Sequence, residues 1–462
     1  GQKYTASVQA KTSSPGTVKL HITLGFFDEN RSVLSEGNKD FLLTGSYQAF
    51  SIDGTAPASA MYCWIAFRLS DGSSQKAAGT LFMDDVRLTG AGVEPPPPLV
   101  PRVVPVTLPS DDVPIASLVV TESPYNAKQD GSVDATTPFQ QAIDNAANRG
   151  GGVVFIPAGK YRFDGSLTLK EKVTLRGDWQ SPNDGGTGKG TILQVYGGRG
   201  SETGTPFLTM HRGTGVKNLT IWYPAQTISV VPYPWTIFCL PSFSSGGSDN
   251  TSVINVTLVN PYQAIKIGPA SNELHYIRTV YGTPLKTGIW LSQTTDIGRI
   301  INVHFDPKYW SGSTLSNSPS EASIKAWTQA NGEGIAMGRS DWEYMYDISL
   351  VGYKTGVRIF RYDPSGPAAN GVIYGLRTEE GEVGIKFEMG NPYGFAITNS
   401  TINASAGSAP VCVLATSTFS TVAQFNTCSF GGSPKTAILF EDNSTARMTF
   451  QNCTFADWGY QG

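Results

Sequence analysis

The sequence predicts an all-β protein in two parts: an antiparallel β-sandwich followed by a coil of short parallel strands. Three observations lead to this. Residues 1–90 alternate apolar and polar with period two, between turns rich in Gly, Ser, Asp and Pro. From about Val119 onward, short apolar runs recur every 22 to 26 residues or so (roughly one solenoid rung each). Between these parts lie Glu94-Pro-Pro-Pro-Pro and Val100-Pro-Arg-Val-Val-Pro, which read as a stiff spacer. The expected domains are therefore 1–90, a linker over 91–117, and 118–462.

Composition narrows the function. The chain has 462 residues, enough for at least two domains and a large core. Charged residues make up 15%, aromatics 11%, and there are 51 glycines. That is a turn-rich composition of the secreted, extracellular kind. A net charge of −3 supplies no basic field for nucleic acid. No apolar run approaches the roughly 18 residues of a membrane span. The chain starts Gly1-Gln-Lys-Tyr and reads directly into a strand, so it is expected to be a processed or truncated piece of a longer protein; separately, a monomer is expected. Its five cysteines form neither a disulfide framework nor a metal-ligand spacing. Cys428 and Cys453 hold matching places in two repeats and are expected as stacked, buried thiols.

In the first part, strands are expected at Tyr4–Val8, Val18–Phe27, Tyr47–Ile52, Met61–Leu69 and Leu81–Leu88. The opening Tyr4-Thr-Ala-Ser-Val-Gln-Ala-Lys and the closing Phe82-Met-Asp-Asp-Val-Arg-Leu resemble jelly-roll carbohydrate-binding modules. That resemblance implies glycan binding, with Tyr62, Trp64 and Phe67 as candidates, although alternation must bury some of them. Asp84 and Asp85 are either ligands of a structural Ca²⁺ or turn carboxylates. A purely structural module is the competing reading.

The second part opens with a helix over Pro138–Ala147, whose Phe139, Ala142, Ile143, Ala146 and Ala147 fall near helical spacing. Thr137 with Pro138 at the first helical position, or alternatively Asp134, is the expected N-cap. Gly150-Gly-Gly stops the helix. Strands follow at Val153–Ile156, Lys160–Phe163, Leu167–Leu169 and Val173–Leu175, too short and close for hairpins. Stacked rungs with a helix over the exposed first rung fit this run. Ala127-Lys-Gln-Asp-Gly, Asp134-Ala-Thr-Thr, Phe139-Gln-Gln-Ala-Ile-Asp and Gly150-Gly-Gly-Val-Val-Phe-Ile-Pro-Ala-Gly-Lys-Tyr161 closely resemble the opening of the pectate-lyase-like right-handed parallel β-helix superfamily. Glycoside hydrolase families 28 and 55 and many phage tailspike depolymerases belong to it. The resemblance implies the fold and a polysaccharide partner. It does not separate hydrolysis, elimination and binding.

Later repeats carry Asn218, Asn255, Asn302, Asn399 and Asn452 at one position, expected as a side-chain ladder at a turn. Partner strands start at Ala264, Gly288, Gly334, Gly356, Gly384 and Ala437. Their middle residues form an outward column: Lys266, Trp290, Ala336, Arg358, Lys386 and Leu439. Such a lane offers stacking and hydrogen bonds to a sugar chain; the competing reading is a solvated face.

Hydrolysis of a glycoside needs two carboxyl groups, one protonating the leaving oxygen and one activating water or attacking. In family 28 hydrolases the acids precede a strand like Gly334-Ile-Ala-Met, which places Glu333 there by resemblance. The family's adjacent acidic pair is absent. Asp341 and Glu343, beside Arg339 and Trp342, and Glu379 and Glu380, after Arg377, complete the acidic candidates, with Glu333, Asp341 and Glu380 expected to converge. The insertion Asp306–Asn331 is expected as a loop walling a cleft, with Trp310 and Trp327 as sugar platforms. His304 is expected as a surface or hydrogen-bonded residue rather than a base. No Gly-x-Ser-x-Gly elbow, zinc spacing or phosphate loop stands in a suitable context, and no cofactor is required.

Three functions compete: a glycoside hydrolase on a glucan-like polymer, a lyase eliminating from a uronan through Arg339, Arg358, Arg361, Arg377 or Lys386, and a non-catalytic glycan-binding protein.

Overall fold

The computed structural model describes residues 2–16, 18–28, 32–71, 77–90, 99–239 and 249–459. The chain divides into two compact units, Gly1–Pro97 and Pro98–Gly462. Glu94–Pro98, the core of the expected spacer, lies outside the described residues. Among the described residues no helix is long and apolar enough to cross a membrane.

Unit one holds strands Lys3–Thr12, Lys19–Phe27, Val33–Leu42, Gln48–Thr55, Tyr62–Ser70 and Leu81–Gly90. They form two antiparallel three-stranded sheets, with the first strand between the fourth and sixth and the second between the third and fifth. Ala6, Val8 and Ala10 face Leu20, Ile22, Leu24 and Phe26 across the core. Val33–Leu42 is polar and contains Gly37, so its own sequence gives no strand signal; it forms because it pairs along all of Lys19–Phe27. Alternation turns Cys63, Ile65, Phe67 and Leu69 inward and leaves Tyr62 and Trp64 exposed. Phe67 is therefore a core residue and not a sugar contact. Asp85 pairs with Arg87 at 2.6 Å, and Asp84 accepts from the Asp85 N–H. Among the described residues no cluster of three or more His, Cys, Asp or Glu is placed to hold a metal.

Unit two is a parallel β-helix. Helix α1 (Thr136–Asn148) covers its first rung, and Phe139 sits edge-on to Tyr161 and Phe163 at 5.3 and 4.9 Å. Its N-cap is Ala135, without a side-chain cap bond. Asp134 lies one residue outside and accepts from the Thr136 N–H and hydroxyl, so neither expected cap stands. Gly150, Gly151 and Gly152 have φ of 91°, 105° and 144°, a left-handed path that glycine takes without strain. Among the described residues the coil builds an 18-stranded and a 10-stranded parallel sheet. Aliphatic side chains from every rung fill one continuous core. All five cysteines are free thiols, and the register aligns Cys428 with Cys453.

Residues 99–117, expected as spacer, pack on the coil instead. Val104 and Ala116 are buried with Val119 and Phe155. Thr107 and Leu108 donate backbone N–H groups to Asp178, and Asp112 binds Arg176 and Lys217. Val104, with Val106 packed beside it, supplies the apolar contact of this segment, while Val100 and Val103 stay exposed.

The 18-stranded sheet bends at one residue per rung. Asn218, Asn255, Thr279, Asn302, Asp347, Gly375, Asn399, Thr427 and Asn452 all have φ between 51° and 70°, and the strand register stacks each on the next. Asn255 Nδ2 donates to Asn218 Oδ1 at 3.0 Å. The expected asparagine column is present, although Asn302 donates to Thr279 Oγ1 and Tyr281 Oη and Asn399 to Tyr374 Oη rather than to another asparagine. Thr279, Asp347, Gly375 and Thr427 complete it without the asparagine that would have marked them.

Candidate functional site

The outward column of the 10-stranded sheet starts from alternation. In runs such as Ala264-Ile-Lys-Ile267, the two isoleucines are buried and the residue between them points away from the core. Register then stacks Phe238, Lys266, Trp290, Ala336, Arg358, Lys386, Leu414 and Leu439 on consecutive rungs. The predicted lane is therefore real, with Leu414 from Val411–Ala415 inserted below Leu439 and Phe238 added at the other end.

Lys266 is the chemically distinct member. Its Nζ lies 5.2 Å from the Trp290 ring centroid, 5.5 Å from Phe238 and 5.9 Å from Trp235. Among the described residues no carboxylate pairs with it. Burial among these rings pulls the Lys266 ammonium below the usual lysine value. A recess of about 290 Å³ opens here, lined by Lys266, Trp235, Phe238, Gln263 and Glu202. Glu202 also binds Lys286 and accepts from Tyr262 Oη at 3.2 Å. The Lys286 Nζ sits 5.6 Å over the Tyr262 ring, so a second cation stands on the rim.

Further along, the lane is charge-balanced. Arg358 binds Glu333 through Nε and Nη2 at 2.5 and 3.3 Å and reaches Glu388 at 3.5 Å. Lys386 pairs with Glu388 at 2.7 Å. Burial works against the Arg358 charge, yet the two carboxylates keep its pKa above the ordinary value. Trp290 is flanked by Phe360 and Tyr362 at 6.0 and 5.4 Å.

Glu333, Trp290, Arg358 and Lys386 thus share one face; the other sequence candidates do not join them. Asp341 pairs with Arg339 at 2.7 Å, past the far end of the strand Glu333–Met337. Trp342 beside it is exposed, with φ of 65°. Glu380 pairs with Lys325, and Glu379 pairs with Arg377 on the other sheet. Each of these acids is paired with a different cation, and among the described residues no bond or shared cation joins Glu333, Asp341 and Glu380. Glu343 is buried, bound to His275 Nε2 at 3.0 Å and to the Ser340 hydroxyl at 2.7 Å. With 1% of its surface exposed it has no face for substrate.

The insertion is helical where a loop was expected. Helices α2 (Lys308–Ser311) and α3 (Glu321–Asn331) bury Trp310 completely, among Ile192, Trp222, Val259, Leu285 and Ile324. A ring with no exposed face cannot stack a sugar, so Trp310 is a packing residue. Trp327 is half-buried and lies 6.3 Å from Tyr262, supporting the rim. His304 stands edge-on to Tyr281, its Nε2 3.5 Å from Asp347. Sequence reasoning missed Trp235, Phe238, Glu202, Tyr262, Lys286 and Glu388. Trp235-Thr-Ile-Phe-Cys239 shows the alternation of its neighbours but not their Gly-Ile or Ala-Ile opening. Glu202 and Lys286 meet across 84 positions, which no local pattern reveals.

Residues 121–358, more than half of the chain, match the family model "Rhamnogalacturonase A/epimerase, pectate lyase-like". Mannuronan C5-epimerase AlgE3 of Azotobacter vinelandii is 36% identical over 100 residues, covering 19% of this chain and 5% of that protein. Alginate lyase 7 of the same organism is 42% identical over 60 residues, covering 12% of this chain and 7% of its own length. The chain thus spans less than a tenth of either relative. Among solved structures, the A-module of A. vinelandii mannuronan C-5 epimerase AlgE4 aligns with 16% identity and a TM-score of 0.39, covering 74% of this chain and 96% of that one.

Proposed function

The chain belongs to the rhamnogalacturonase A/epimerase, pectate lyase-like family, and from that premise we propose that it processes a uronic-acid polysaccharide laid along the 10-stranded sheet. The observation that carries this reading is Lys266, an ammonium without a carboxylate partner among the described residues, caged by three rings at a recess. Lysine held this way is neutral at lower pH than an ordinary lysine, as a general base must be. In the proposed step the Lys266 amine takes the C5 proton of a bound uronate. The electron pair passes into the adjacent carboxylate, and the Lys266 ammonium formed in the step, with Lys286 shared by Glu202 at the rim, offsets the developing charge. Trp290 and Trp235 hold the sugar rings beside it. From that enolate, the C4–O4 bond breaks and the departing sugar oxygen takes a proton from the Lys266 ammonium or from water, which gives an unsaturated uronate, while a proton delivered to C5 by water from the opposite face gives the C5 epimer. The relatives named for mannuronan C5-epimerisation and for alginate lysis support this first step, which both outcomes share.

A second reading keeps hydrolysis of a glucan-like polymer. It is favoured by Glu333 and Glu388, two carboxylates brought onto the same guanidinium of Arg358, since hydrolysis of a glycoside needs two carboxyl groups. One experiment separates the readings: a panel of uronans and neutral glucans in D₂O, followed for reducing ends, ultraviolet absorbance and deuterium at C5. The expected result is absorbance or deuterium, falling by about 10²-fold or more in Lys266→Met. Reducing ends alone, lost in Glu333→Gln and kept in Lys266→Met, would replace the first reading by the second. Binding without any reaction would leave a non-catalytic glycan-binding protein.

A further inference from the structure

A second concave site, of about 700 Å³, lies over the bend of the 18-stranded sheet. Its floor is formed by Asn218, Asn255, Thr279 and Asn302 of four consecutive rungs, and Asp111 and Trp179 stand at its walls. The floor is rigid. Asn255 Nδ2 donates to Asn218 Oδ1 and to Asp111 Oδ2 at 3.0 and 3.3 Å, and Asn302 Nδ2 donates to the Thr279 hydroxyl and to Tyr281 Oη, both at 3.2 Å. Among the described residues the buried Arg278 Nε, beside this floor, has no acceptor. Trp179 is fixed by stacking on Tyr281 (6.4 Å, 11°) and by its Nε1 bond to Thr257 Oγ1 at 2.8 Å.

The floor continues as a platform. Arg278, Ile301, Tyr346 and Tyr374 hold one strand position on successive rungs. The first two line the pocket. Tyr346 and Tyr374 are 53% and 41% exposed and stack face to face at 5.4 Å and 9°. Their spacing follows the rung repeat of about 4.8 Å. Oriented amides, carboxylates that accept from hydroxyls, and flat exposed rings are the chemistry that recognises a sugar chain. The charge selects its kind: Asp111 and Asp184 face the pocket against the single Arg278, already shared with Asp111 at 3.5 Å. An acidic chain is disfavoured there, the reverse of the lane that carries Lys266.

We propose that this groove is a non-catalytic site for an uncharged oligosaccharide, held in the pocket against Trp179 and continuing over Tyr346 and Tyr374. The protein would then grip a neutral glycan on one face of the coil while an acidic one lies on another. Calorimetric titration of the full chain with uncharged trisaccharides and hexasaccharides of glucose, mannose, galactose and xylose tests it. At least one series should bind, with the hexasaccharide tighter than the trisaccharide. Trp179→Ala should weaken both about tenfold or more. The double variant Tyr346→Ala, Tyr374→Ala, which removes only exposed rings, should abolish the gain from length and leave trisaccharide binding intact. Lys266→Met should bind as wild type does. No heat from any of these sugars at about 10 mM, binding indifferent to both aromatic variants, or binding lost in Lys266→Met would overturn the proposal.

Discussion

A lysine ringed by Trp235, Phe238 and Trp290 is held against the preference of its charge for water, because the rings' attraction for the ammonium replaces only part of its hydration. Two consequences follow. With the folded pKa lowered, the folded state binds fewer protons at that site than the unfolded state, so the ammonium destabilises below the folded value. That penalty fades as pH rises through the folded and then the unfolded pKa. Lys266→Met should therefore raise Tm near neutrality, and its advantage over wild type should shrink in alkaline buffer; a pH series of thermal melts checks this. If Lys266 is the base, kcat/KM should rise with pH through its lowered pKa. Glu343 makes the opposite case at the same scale. It is sealed against His275 and Ser340, and removing one partner of a buried pair leaves the other unpaired. Glu343→Ala should lose about 3–5 kcal/mol in denaturant unfolding, and Glu343→Gln should keep its activity. Neither residue announced its role in sequence: Lys266 read as one cation in a row, and Glu343 as one acid in a cluster. Which side of the chain faces out, and what stands opposite, separated them.

At the scale of elements, the bend of the coil depends on residues that tolerate a left-handed backbone. Thr427 is an exposed, β-branched residue at φ 55° between Asn399 and Asn452. Thr427→Asn should stabilise by about 0.5–1 kcal/mol, measured as a shift in Tm. Helix α1 closes the first rung through Phe139, buried against Tyr161 and Phe163. Phe139→Ala should lose about 3–5 kcal/mol by opening a cavity there. The crossing segment is tied down by Asp112. Partial burial works against its charge, but hydrogen bonds from Arg176 and Lys217 pull its pKa down to about 2. This stabilisation is present above the unfolded carboxylate value and is lost as pH falls from about 4 to 2. Asp112→Asn should flatten that part of the stability–pH curve. Short strands, helix and asparagine column were readable because periodicity and Gly-Gly-Gly are local signals. The polar strand Val33–Leu42 and the helices of the insertion were not, because pairing and a buried Trp310 stabilise them.

At the scale of the molecule, each unit has its own core, so residues 98–462 produced alone should fold with the calorimetric transition that unit two shows in the full chain. The two-part all-β architecture, the stacking of the coil and the outward lane from Lys266 to Leu439 were all legible in the order of residues. Alternation and repeat spacing are properties of successive residues, and a parallel coil converts them directly into columns. The fold sets which charges meet. It gave Glu333, Asp341, Glu379 and Glu380 each a separate cation, sealed Glu343 and Trp310 in the interior, and left Lys266 without a carboxylate partner among the described residues. Partners such as Glu202 and Lys286 come from distant turns of the chain, and the folded coil alone sets the distances between them.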